Sequence, residues 1–113
     1  MSIVNTVLGP RDSSELGFTL SHEHILLSSA GIQDVFPEFI PRDFAIEEGI
    51  RQLSEAKAEG VDTIVDLSTM DLGRDVRVIE AVARGSGVNA IVATGTWRDI
   101  PRSFAEATPE ETA

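Results

Sequence analysis

Residues 61 to 67, VDTIVDL, are nearly continuous in apolar character and rich in β-branched side chains, and a segment of helical periodicity flanks them on each side. A strand that is apolar on both faces suits a parallel sheet covered above and below. Before it, Ile46, Ile50, Leu53 and Ala56 recur at spacings of four, three and three. That spacing predicts a helix over 43–59 with one apolar stripe. Asp43 stands where a side chain can cap the free amides of the first turn. After the strand, Val76, Ile79, Val82 and Ala83 predict the buried side of a second helix over 75–86, with Gly85 and Gly87 stopping it. NAIVAT, 89–94, reads as the next strand, and Thr19 to His24 as the one before. Strand, helix, strand, helix, strand in this order demands parallel pairing with right-handed crossovers.

The flanks are less regular. Residues 3–20 read as a short antiparallel lead-in that turns at Gly9-Pro10 and the polar run Arg11 to Ser14, and 25–42, with Pro37 and Pro41, as a long connection. The end, ATPEETA, has Thr108, Pro109 and Glu111 at the spacing of a capping-box helix start, yet only two residues follow Glu111. A helix start without a helix, and a third parallel strand with no onward partner, read as a sequence cut within a larger protein. The first residues lack the basic region and apolar stretch of a signal peptide, so none is expected. Apolar runs are too short to span a bilayer. The absence of cysteine excludes disulfides and thiolate metal sites and fits a reducing, cytoplasmic compartment. Acidic residues outnumber basic ones 19 to 9, and no Lys/Arg cluster occurs, which argues against nucleic acid and anionic membranes as partners.

The only two histidines, His22 and His24, sit one residue apart in GFTLSHEHILLSSAG. Along a strand they point the same way, and Glu23 points opposite. Two imidazoles on one face can converge on one ion, and zinc accepts imidazole nitrogen at about 2.0–2.1 Å. The same pattern also arises from two packed or surface histidines. What favours the metal is position: the pair closes what should be the first parallel strand, and ligands gather at the carboxyl ends of such strands. Glu23, turned away, has the direction of a structural residue rather than a general base.

GFTLSHEHI resembles the signature of the phosphotriesterase family of metal hydrolases, within the amidohydrolase superfamily. NTVLGP (5–10), SSAG (28–31), PEF (37–39), GVDTIVDLSTMDLGRDV (60–76) and IVATGTW (91–97) resemble the same family in the same order. The resemblance implies a (β/α)8 barrel, of which residues 1–113 would be a partial hydrolase domain carrying about three βα units, strands 1 to 3. It implies a centre of two divalent ions, zinc or another metal, with His22 and His24 as ligands of one ion. The family completes that centre with a carboxylated lysine on strand 4, histidines on strands 5 and 6 and an aspartate on strand 8. None of these can be carried over. The only lysine, Lys57, lies in the first long helix, and no histidine follows His24. No catalytic residue is therefore assigned within the chain, and the chain alone is expected to be inactive.

The implied chemistry is hydrolysis of a neutral phosphotriester by a metal-bound hydroxide. A lactonase of the same family, or a non-catalytic fragment or binding module, is the alternative. The expected partners are a small ester substrate and, in the parent protein, a second copy of the chain. Trp97, the only tryptophan, follows the third strand in the position where the resemblance implies a leaving-group pocket, so it is the candidate substrate-binding residue. An aromatic cap over the barrel end is its other reading. Asp66 reads as an acceptor for backbone amides at a strand end, and DLGRD (71–75) as a loop holder in which Arg74 pairs with a carboxylate. Ser68 and Thr69 have no basic partner in view, which speaks against a nucleophile.

Overall fold

A computed structural model describes residues 2–100, 108 and 110 of the chain. Among these, β1 (Ile3–Thr6) and β2 (Gly9–Asp12) form an antiparallel hairpin, and β3 (Thr19–Glu23), β4 (Thr63–Asp66) and β5 (Asn89–Val92) form a parallel sheet in the order β3-β4-β5. Helices α1 (Ile32–Val35), α2 (Arg42–Ala58) and α3 (Val76–Ser86) complete the architecture. The fold is thus mixed α/β with parallel pairing, as the alternation of patterns requires. No helix among the described residues is long and apolar enough to cross a membrane. Pro109 and Glu111 of the expected capping box lie outside the described residues.

One face of the sheet carries the core. Ile64 and Ala90 are buried with Ile79, Ala83 and Val88, and Leu20 and Leu53 pack against them. Leu26, Val78 and Val82 form a second cluster under Ile46, Ile50 and Leu53 of α2. Removing such buried aliphatic side chains typically costs about 2–5 kcal/mol, so this layer between sheet and helices is what holds the loops above it in place.

Several local expectations need correction. The hairpin turns at Val7 and Leu8, not at Gly9-Pro10, which are already paired in β2. Thr6 closes this turn: its hydroxyl donates to the Gly9 carbonyl at 2.7 Å and accepts from the Leu8 amide at 3.2 Å. The turn is apolar because Val7 and Leu8 plug the core, and the Val7 amide donates to the Ala90 carbonyl. Asp43 does not cap α2. Pro41 occupies that position without a side-chain bond, and Asp43 lies inside the first turn. Val76 is 42% exposed, and Val78 takes the buried place expected for it. Asp75 caps α3 instead, accepting from the Arg77 and Val78 amides. Gly85 lies within α3; Gly87, at φ +76°, ends it. Gly85 serves packing: a Cβ there would stand 2.5 Å from Ile50 Cδ1. The strands are shorter than their apolar patterns, because residues 61, 62, 67, 93 and 94 flank the ladder rather than join it.

Candidate metal centre

The histidines face their cavity because β3 contains a bulge. Leu20 pairs with Ile64 and Glu23 with Asp66, so three steps along β3 match two along β4. Ser21 and His22 together oppose Val65. An extra residue reverses the parity of a strand and re-aims the side chains beyond it. Strict alternation from Leu20, which packs beneath the helices, would have sent His22 to the helix side. With the bulge, Glu23 joins Leu20 and Ile64 around a hollow of about 260 Å³ against α2. His22 lines a different cavity, of about 610 Å³, together with Thr69, Leu72, Thr96 and Trp97, and His24 borders both hollows. The two rings meet edge to face, with centroids 5.4 Å apart. His24 lies one residue past the strand, which ends at Glu23.

Beneath the pair is a small polar frame. Asp66 is fully buried, and its carboxylate accepts from the Ile25 amide at 2.9 Å and the Ser68 amide at 2.8 Å. It therefore ties the end of β3 to the end of β4, one residue on either side of the site. Ser68, also fully buried, places Oγ 2.9 Å from His24 Nδ1 and 3.4 Å from the Leu26 carbonyl oxygen. When the hydroxyl donates to the Leu26 carbonyl, which can only accept, Oγ is left to accept from Nδ1–H. In that tautomer the Nε2 lone pair of His24 is free for an ion, as in metal sites whose histidines donate through the other nitrogen.

The donor set fits a metal in part. Two imidazoles on one cavity, one of them oriented by a buried hydroxyl, are suitable ligands. Among the described residues, no group of three or more His, Cys, Asp or Glu side chains could hold an ion. Among the described residues, none that lines the histidines' cavity is a carboxylate, lysine or arginine. The acidity of the chain is distributed elsewhere.

Trp97 lines the cavity from the loop after β5 and is 66% exposed. Asp71, from the loop after β4, accepts from the backbone amides of Trp97 (2.9 Å), Arg98 (2.8 Å) and Asp99 (3.0 Å), and from the Thr69 hydroxyl. The Thr69 hydroxyl, and then the amides of Asp99, Trp97 and Arg98, hold the Asp71 carboxyl well below the usual carboxylate range. Among the described residues Arg74 pairs with no carboxylate, contrary to expectation; it donates to the Ala93 carbonyl. Ser68 and Asp71 are the residues whose parts in the site sequence reasoning missed. Short polar side chains after a strand look like any solvated loop, and the one available signal was their cluster, STMD, immediately after a buried strand.

A model of the phosphotriesterase family matches residues 2–112. The chain is 42% identical over 107 residues to a "phosphotriesterase homology protein" of Mycobacterium tuberculosis, covering 92% of this chain and 33% of the relative. It is 34% identical over 104 residues to an "aryldialkylphosphatase" of Saccharolobus solfataricus, covering 90% and 33%. A "phospho-furanose lactonase" of Mycoplasmopsis agalactiae is 30% identical over 94 residues, covering 81% and 26%. The solved structure of the phosphotriesterase from Mycobacterium tuberculosis superposes with a TM-score of 0.81 at 42% identity, covering 91% of this chain and 33% of that one. The chain thus spans about a third of the length of the curated relatives it matches.

Proposed function

Because the chain belongs to the phosphotriesterase family, we propose that it forms the first three βα units of a (β/α)8 barrel and contributes His22, His24 and Trp97 to a metal-dependent hydrolase site. The observation that carries this reading is one cavity, at the carboxyl ends of parallel strands, lined by both histidines and the only tryptophan. His22 and His24 would hold a divalent ion, zinc in the first instance. A bound metal of this kind supplies activation of water and polarisation of the scissile bond. The chain's own residues do the rest of what is in reach. Ser68 holds the His24 ring and its tautomer, Asp66 locks the two strand ends together, and Trp97 offers an aromatic wall to a leaving group. Among the described residues the cavity wall presents no carboxylate, lysine or arginine, which supports a neutral ester as the substrate. An aryl phosphotriester fits such a wall. The phospho-furanose lactonase among the relatives supports a lactone as the second reading.

The test is metal content and turnover of the complete parent barrel, compared with the 113-residue chain. The parent should hold zinc stoichiometrically and hydrolyse an aryl dialkyl phosphate. The chain alone, with two imidazoles where catalytic zinc sites have three protein ligands, should hold zinc weakly and turn over nothing. In the parent, Trp97→Ala should change selectivity among aryl leaving groups and leave zinc content intact. Full activity and full zinc in a parent lacking both histidines would refute the assignment.

A further inference from the structure

The position of Trp97 needs an explanation, because its loop leaves the sheet after Val92 and its side chain is mostly exposed. Nothing in the loop's own sequence, TGTWRD, favours one conformation strongly. Three consecutive amides, those of Trp97, Arg98 and Asp99, nevertheless point at one carboxylate. Successive backbone N–H groups arranged this way form a concave anion site, and bonds to an ionised acceptor are the strong kind. The anion is supplied by a neighbouring loop of the same chain. We infer that Asp71 is the positioning residue for Trp97: by clasping the backbone of residues 97–99 it holds the indole at the mouth of the histidine cavity.

The clasp is itself anchored. Thr69, which lines the same cavity, donates its hydroxyl to the same Asp71 oxygen that the Trp97 amide approaches. The short turn Met70–Leu72 presents Asp71, and the Leu72 carbonyl accepts from the Ser28 amide in the loop after β3. Arg74 reaches the Ala93 carbonyl at the base of the Trp97 loop. The loop after β4 therefore grips the loops on both sides, and Asp71 is its contact with Trp97. If the proposed hydrolase function holds, Asp71 sets selectivity through Trp97 without touching substrate. The clasp itself does not depend on that function.

The sole tryptophan makes the inference measurable without metal or turnover. The 113-residue chain, kept monomeric by fusion to a tryptophan-free carrier, is compared as wild type, Asp71→Asn and Asp71→Ala. Acrylamide quenching and anisotropy of Trp97 are read, with far-UV circular dichroism as the check on the fold. The quenching constant should rise about twofold in Asp71→Ala as the loop opens locally, with anisotropy falling and the dichroism unchanged. Asp71→Asn, which keeps one acceptor oxygen but no charge, should fall between. Equal quenching in wild type and a folded Asp71→Ala overturns the inference. So does a wild-type Trp97 as quenchable as in concentrated urea. If Asp71→Ala does not fold, Asp71→Asn decides, and wild-type quenching there overturns the inference as well. Failure of hydrolysis in the parent would leave these readings untouched, so the two claims fail separately.

Discussion

Replacing Ser68 by alanine should change which nitrogen of His24 carries the proton. In the wild type, Ser68 Oγ lies 2.9 Å from Nδ1, an ordinary hydrogen-bond length, and with its own proton directed to the Leu26 carbonyl at 3.4 Å it accepts from Nδ1–H. A bond of this kind is worth about 1 kcal/mol net, which corresponds to a roughly fivefold change in the ratio of the two tautomers. The chain has only two histidines, so long-range proton–nitrogen spectra of histidine-labelled protein, recorded at a pH where both rings are neutral, resolve each ring, and His22→Gln assigns them. His24 should hold its proton mainly on Nδ1 in the wild type and lose that preference about fivefold in Ser68→Ala, while His22 stays unchanged as an internal control. Losing the partner that orients a metal-binding histidine typically costs about 10–100-fold in metal affinity, so the same variant in a parent barrel should bind zinc more weakly. A His24 already protonated on Nε2 in the wild type, or one indifferent to Ser68→Ala, would refute the tautomer assignment.

Two further outcomes can be checked on the chain as it stands. Gly49→Ala would put a Cβ 2.7 Å from Cγ2 of fully buried Val82, whose branched side chain has little rotamer freedom in a helix. Overpacking of about 1–3 kcal/mol outweighs the roughly 1 kcal/mol of helix propensity regained, so the thermal midpoint should fall; a rise would mean that α2 and α3 separate freely. The Asp71 carboxyl lies below its ordinary value of 3.8 when folded, so its contribution is complete above that value and is lost only as pH falls through the lower, folded one. Trp97 anisotropy should therefore hold steady from pH 5 down past 3.8 and drop below it, and a midpoint at or above 3.8 would contradict the clasp.

The order of strands and helices was legible because each element repeats a simple period. Ile46, Ile50 and Leu53 all reach the second buried cluster, and the β-branched run around Ile64 lies at the centre of the sheet. What periodicity could not show is where tertiary contacts override local chemistry. Gly9-Pro10 has the composition of a turn, yet the chain turns two residues earlier, because Val7 and Leu8 gain more by entering the core than Gly9 loses by joining a strand. Asp43 has the right chemistry for a cap but stands two residues too late, since Pro41 already fixes the entry to α2. Gly85 looks like a stop signal, and the reason it is glycine is Ile50 on another helix.

The histidine pair was legible for a reason that alternation alone does not supply. Counting by twos relates His22 to His24 correctly and also relates both to Leu20, which faces the helices. Sequence offers no means of choosing between these two consequences, because both come from the same period. The bulge at Ser21 and His22 resolves the conflict by breaking the period once, between the part of β3 that belongs to the core and the part that belongs to the site. A residue added there lets one short strand face two ways, Leu20 and Glu23 toward α2 and His22 toward Trp97, with His24, just past the strand, bordering both hollows. Ser68 and Asp71 were out of reach of any such count. Their partners, His24 and the amides of 97–99, stand 44 residues earlier and 26 to 28 residues later, and only the parallel register of β3, β4 and β5 brings three consecutive strand ends, and the loops that leave them, to one rim.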